Sequence, residues 1–319
     1  MVNRDWKGYE IDFDATDPVS TAECYIVSIN YANCNWNTGH GGGGGPGGPG
    51  GPGKSCDFKT VIFPSYQVVK INGEFVTYKV TGIGTGSTLL NFGDYMDIVI
   101  PETVTTICDG AFGYNITGVS FSGEDNIVSI GSQAFIGLLG SSFTFGTKLK
   151  TIGTSAFQGS RLNSVVFPEG SNIDSIGQYA FAYCYYLTKV HFSDSTVTTI
   201  DAYAFVGNSN ITSADFTNTK IDSIGECAFY QNSLSGTIDL RNSGITSIGS
   251  QAFYGQYNNS ELIIDIPDTV DYIGSQFVTG CSGKVTVNFY GITEEEAHAK
   301  FASDYDTIWS SNTTFNYGL

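Results

Sequence analysis

The chain has 319 residues, with 31 acidic against 14 basic side chains, a formal charge of −17 and a pI near 4.3. A surface this acidic cannot gather phosphate backbones by releasing counterions, which argues against a nucleic-acid partner. Charged residues make up only 14%, while glycine (40), tyrosine (19) and phenylalanine (22) are abundant, so the composition points to an all-β or repeat protein rather than long helices. No apolar run reaches the roughly 20 residues needed to cross a bilayer, and the reading is a soluble protein with no membrane insertion.

The first eleven residues carry Asp5 and Glu10 where a secretory signal would have a basic start and an apolar core, so no signal peptide is expected. Residues 1–40 alternate briefly, as in Tyr9-x-Ile11-x-Phe13, and are too few for an independent core. They read as a small β or docking arm leaning on a partner or on the rest of the chain. Residues 41–53, GGGGGPGGPGGPG, place Pro46, Pro49 and Pro52 three apart. That period suits an extended or flexible spacer of roughly 30–40 Å, or a short Gly-x-x triple helix joining three chains into a homotrimer. Gly48-x-x-x-x-Gly53-Lys54-Ser55 satisfies the phosphate-loop expression, but it precedes Phe58 to Phe63, which reads as strand instead of helix, so it is a chance match.

Residues 54–319 read as one repeat domain with terminal caps. A signature recurs eight times: ICDGAF at 107–112, IGSQAF at 130–135, IGTSAF at 152–157, IGQYAF at 176–181, IDAYAF at 200–205, IGECAF at 224–229, IGSQAF at 248–253 and a degraded IGSQFV at 273–278. The isoleucines are 22 to 25 residues apart. Between signatures lie apolar alternations such as Phe143-x-Phe145, Val190-x-Phe192 and Ile264-x-Ile266, each read as one short strand per coil. A coil of this length cannot bury its apolar face alone, so neighbours must stack. Stacking predicts one internal column of Ile130, Ile152, Ile176, Ile200, Ile224 and Ile248, and another of Phe112, Phe135, Phe157, Phe181, Phe205, Phe229 and Phe253. Gly after the isoleucine suggests a turn with positive φ, with Cys108 an awkward occupant. Thr293, followed three residues on by Glu296, predicts a capped helix over 293–301.

The run I-G-x-x-A-F, then L-x-x-V-x-F, resembles the BspA-like leucine-rich repeat family. Ile176–Phe181 followed by Cys184, Leu187, Val190 and Phe192 carries the likeness, which covers roughly residues 61–319. Tyr78–Gly84 resembles the opening edge of such arrays. The resemblance implies a curved right-handed solenoid of about eight coils of roughly 24 residues, and a role in adhesion or surface recognition outside cells. It implies no catalysis and carries over no binding residues.

Seven cysteines with no CxxC pair read mostly as free thiols. The histidines His40, His191 and His298 share no hydrolase motif, so no enzyme activity and no resident cofactor are expected. If Val190 and Phe192 point inward, His191 points out and heads a column with Asp215, Asp239 and Asp265. Stacked carboxylates about 4.8 Å apart repel one another. They are hydrated aspartates, a divalent cation site holding Ca²⁺, or the seat of a basic partner. Tyr183, Tyr203 and Tyr254 are candidate aromatic contacts to a protein or glycan. Three functional classes follow: a surface adhesin, a virion fibre or decoration component anchored by its N-terminal arm, and an intracellular protein scaffold.

Overall fold

The computed structural model describes residues 2–6, 9–14, 23–30, 60–63, 65–71, 74–84, 95–258, 260–301 and 312–319. The Gly/Pro tract, the phosphate-loop match, Cys34, Cys56 and His40 lie outside the described residues. Among the described residues the coils form a parallel β-solenoid of about nine turns. One turn precedes the eight signatures, because strand Glu74–Ile83 puts Ile83 beside Ile107.

In each turn the isoleucine ends a two-residue strand of the form Ser/Thr-Ile, or Tyr-Ile in the last. These strands pair in parallel register from Ile107 through Ile130, Ile152, Ile176, Ile200, Ile224 and Ile248 to Ile273. They belong to a thirteen-stranded sheet. Strands Val2–Trp6, Tyr9–Asp14 and Glu23–Asn30 form an antiparallel meander that joins this sheet by pairing Glu23–Asn30 with Glu74–Ile83 in parallel.

The predicted columns are the core. All nine isoleucines from Ile83 to Ile273 are at most 2% exposed. Phe112, Phe135, Phe157, Phe181, Phe205, Phe229 and Phe253 stack with centroids 5.1–5.5 Å apart. Each buried ring contributes about 1.5–3 kcal/mol by leaving water. Between them run backbone bonds: the amides of Phe135, Phe157 and Phe181 each donate to the alanine carbonyl of the next coil at 2.8 Å. In the last coil Phe277 and Val278 fill the Ala and Phe places and stay fully buried.

Glycine follows the isoleucine in six of the eight signatures, and there its cause differs from the one expected, although Gly84 after Ile83 does have positive φ at 89°. Positive φ falls instead two residues later, on Gln133, Ser155, Tyr179, Tyr203, Cys227, Gln251 and Gln276, at 53–61°. The glycine is required by close approach. A Cβ on Gly131 would meet the Asp109 nitrogen at 2.5 Å, and one on Gly225 the Ala202 nitrogen at 2.5 Å. Cys108 does not have positive φ, so its place carries no left-handed strain.

The outer side of the coil departs from one continuous strand column. It holds three separate sheets: 60–62, 96–100 and 116–121; then 164–166, 189–191 and 213–215; then 236–239, 261–266, 284–289 and 313–316. Residues 143–145 form no strand. Their coil, from Ile130 to Ile152, is the shortest, and Phe143 and Phe145 tuck against Phe157 instead.

A buried polar column escaped the sequence reading. Ser160, Cys184, Asn208, Asn232 and Gln256 each follow the signature phenylalanine by three residues, and Cys281 follows Val278, which fills the phenylalanine place, by the same three; all are under 9% exposed. Asn208 Nδ2 donates to the carbonyls of Phe181 at 2.8 Å and Phe205 at 2.9 Å, and Gln256 Nε2 does the same for Phe229 and Phe253 at 2.8 and 3.1 Å. The amide thus staples one coil to the next where the turn leaves carbonyls unpaired. The predicted helix is present as Glu294–Lys300, with the reciprocal Thr293–Glu296 capping box in place.

Candidate recognition surfaces

Strand register puts Val166, His191 and Asp215 side by side, and separately Asp239, Asp265 and Asn288. The expected unbroken carboxylate column is therefore interrupted between Asp215 and Asp239, which lie in different sheets. The remaining pair brings its own cation. Arg241 Nε donates to Asp239 Oδ1 at 2.9 Å and Nη2 to Oδ2 at 2.7 Å, while Nε stands 3.7 Å from Asp265 Oδ2. Asn288 Nδ2 donates to Asp265 Oδ1 at 2.7 Å. These bonds hold the Asp239 carboxyl below the usual carboxylate range, chiefly through the Arg241 side chain. The repulsion that suggested a bound Ca²⁺ is thus met within the chain. Among the described residues no group of three or more His, Cys, Asp or Glu is placed to hold a metal ion.

His191 points outward as predicted, and its neighbours are specific. Nδ1 is 3.4 Å from Asp215 Oδ2, and Nε2 is 2.5 Å from Ser193 Oγ. The order Ser193, His191, Asp215 is that of a hydrolytic triad. Acyl transfer also needs amide donors aimed at a developing oxyanion. Here the amides flanking Ser193 are engaged with the next coil: Phe192 donates to Asp215 O at 2.9 Å and Asp194 to Thr217 O at 3.0 Å. Ser193 itself is 8% exposed. The arrangement is a polar contact between two adjacent coils.

The tyrosines line the turn edge of the solenoid. Tyr179 stacks on Tyr203 at 4.9 Å, and Tyr230 on Tyr254 at 5.1 Å. Tyr203 and Tyr254 are accordingly half-buried, and the Tyr203 hydroxyl donates to Glu226 Oε1 at 3.2 Å. Tyr183 differs: it is exposed, as are Tyr185 and Tyr186 beside it. The signal for this loop is local, since two tyrosines stand between Cys184 and Leu187 where the preceding coil has only Arg161 between Ser160 and Leu162. Cys184, Cys227 and Cys281 are buried free thiols and Cys108 a half-buried one. Burial pushes the Cys184 thiol up to about 11, so it is a donor to Phe157 O and not a nucleophile.

A ladder of stacked parallel coils with an exposed aromatic edge and a polar outer face defines a repeat protein of the solenoid class. The description "BspA type Leucine rich repeat region" matches in six copies over residues 91–205 and 150–285, more than half of the sequence, and the chain belongs to that family. Among solved structures it is similar to a leucine-rich repeat protein from Bacteroides ovatus, at 20% identity over 89% of this chain and 71% of that one, with a TM-score of 0.53. A leucine-rich repeat protein from Eubacterium ventriosum matches at 21% identity over 91% and 72%, with a TM-score of 0.44. A leucine rich cell surface protein from Faecalibacterium prausnitzii matches at 14% over 100% and 95%, also with a TM-score of 0.44. No curated protein matches the sequence.

Proposed function

We propose that the chain is a non-enzymatic recognition protein that holds a protein or glycan against its solenoid surface, displayed outside a microbial cell or on a virus particle. The observation that carries this reading is the exposed Tyr183, Tyr185 and Tyr186 on a stacked, hydrogen-bonded ladder. Rigid aromatic anchors bind with little loss of side-chain entropy and offer both a ring and a hydroxyl. Family membership supports it, since stacked repeats build extended contact surfaces. Among the described residues no helix is long and apolar enough to cross a membrane.

The test is saturable binding of the full chain to surfaces coated with extracellular-matrix proteins and mucin glycans, read by biolayer interferometry. Saturable binding that drops on replacing the three tyrosines by alanine supports the reading. A chain that binds none of these surfaces contradicts it. The virion-fibre alternative makes a separate prediction: the full chain is a trimer in solution, and a version beginning at Lys54 is a monomer.

A further inference from the structure

We propose that the loop Tyr183–Tyr186, with Arg161, forms a shallow subsite for a carboxylate-bearing sugar, a sialic or uronic acid residue of a glycan. This rests on the recognition function above and narrows its ligand. Tyr183, Tyr185 and Tyr186 are 40%, 58% and 56% exposed within four residues, and no other such stretch among the described residues shows three large exposed apolar side chains.

The loop is held in place before any ligand arrives. The buried Cys184 thiol donates to the Phe157 carbonyl at 3.2 Å. Asn210 of the following coil donates Nδ2 to the Tyr185 carbonyl at 2.6 Å. The Tyr183 ring lies so close over Gly207 that a Cβ there would meet it at 2.6 Å. Rings ordered this way are preorganised for stacking.

Arg161 stands one coil earlier, exposed, with its guanidinium 6.0 Å from the Tyr186 ring centre. Acids outnumber bases 31 to 14 in this chain, and Arg241, Lys284 and Lys300 each meet a carboxylate. Arg161 meets none among the described residues, and although Lys150, Lys189 and Lys220 also form no ion pair there, Arg161 is the one placed against an exposed ring of the tyrosine loop. A guanidinium left open in an acidic protein presents a planar fork that matches a carboxylate. Tyrosine rings supply the stacking face for a sugar, and their hydroxyls can bond its hydroxyls. A purely apolar partner would leave Arg161 unpaired, and a multiply acidic peptide would be repelled by the rest of the surface. A saccharide with one carboxylate meets one cation and otherwise neutral groups.

The experiment is saturation-transfer NMR and titration calorimetry on the full chain with sialyllactose, a hyaluronan trisaccharide carrying a single internal glucuronate, and lactose. The expected result is binding of at least one acidic sugar, at least about tenfold tighter than lactose. Which acidic sugar binds separates a terminal sialic acid from an internal uronic acid. Arg161→Ala should bring that sugar down to the lactose level, Arg161→Lys should retain part of the difference, and Tyr185→Ala should weaken all sugars. Equal binding of lactose overturns the subsite, as does the absence of transfer to either acidic sugar, or displacement of the sugar by an oligoglutamate peptide. If the sugars fail while the chain still binds coated surfaces, the subsite alone falls. If it binds neither, both readings fall.

Discussion

The two sides of each coil have different fates. On one side the Ser/Thr-Ile strands continue through every turn into a thirteen-stranded sheet, while the other side is divided into sheets of three, three and four strands. The six-residue signature always accompanies the first side, so every change in coil length from 22 to 25 residues falls on the second or on the loops leading to it. Column continuity is thus kept where the spacing is fixed. Variation is left for the side and edges where the open tyrosine loop and the His191 and Arg241 contacts lie.

The largest effect should come from breaking the continuous side. Phe181→Ala removes a ring stacked on both neighbours at 5.2 Å, and about 3–5 kcal/mol should be lost in chemical denaturation. The matching substitution on the variable side, Tyr186→Ala, should change stability by under about 0.5 kcal/mol. Equal losses would remove the contrast. Next is Asn208→Ala, which leaves the Phe181 and Phe205 carbonyls without their donor and should cost about 1–3 kcal/mol.

Glycine placement gives a pair of opposite sign. Gly131→Ala should cost about 1–3 kcal/mol because backbone blocks the added carbon. Gln133→Gly, at φ 56°, should be neutral or stabilising by about 0.5 kcal/mol, since relief of left-handed strain offsets added chain entropy. A stable Gly131→Ala protein would mean that close approach is not what the glycine serves. The smallest effect is on the outer side. Arg241 depresses the folded-state pKa of Asp239, so that pair stabilises above the ordinary carboxylate value near 4 and the contribution is lost as pH falls through the lower folded value. Arg241→Ala should weaken the fold slightly at pH 7 and reduce its loss of stability on acidification. An unchanged acid limb would contradict the pairing.

Much of the fold was legible because a stacked coil repeats its demands: Ile176 and Ile200 need the same environment, so the sequence writes the same residue 24 positions on. The helix was legible through its capping box. What stayed hidden depends on contacts between coils rather than on period. The glycine's role needed the backbone of the preceding turn, and the buried polar column mixes Ser, Cys, Asn and Gln, which share one place but no composition. For the outer column, side-chain direction at His191 followed from alternation, but the partners of Asp239 did not. Arg241 sits two residues away on the same strand exit, and only its folded position turns a repelling pair into a bridged one.

The most direct test of in-register stacking is cysteine cross-linking across the continuous sheet. Thr199 and Ser223 occupy facing positions on adjacent strands, and parallel neighbours about 4.8 Å apart are within disulfide reach. The pair Thr199→Cys with Ser223→Cys should oxidise to an intramolecular disulfide without loss of thermal stability. The pair Thr199→Cys with Ser247→Cys, two strands apart, should stay reduced. Cross-linking of the second pair in preference to the first would contradict the register on which the fold and its surfaces rest.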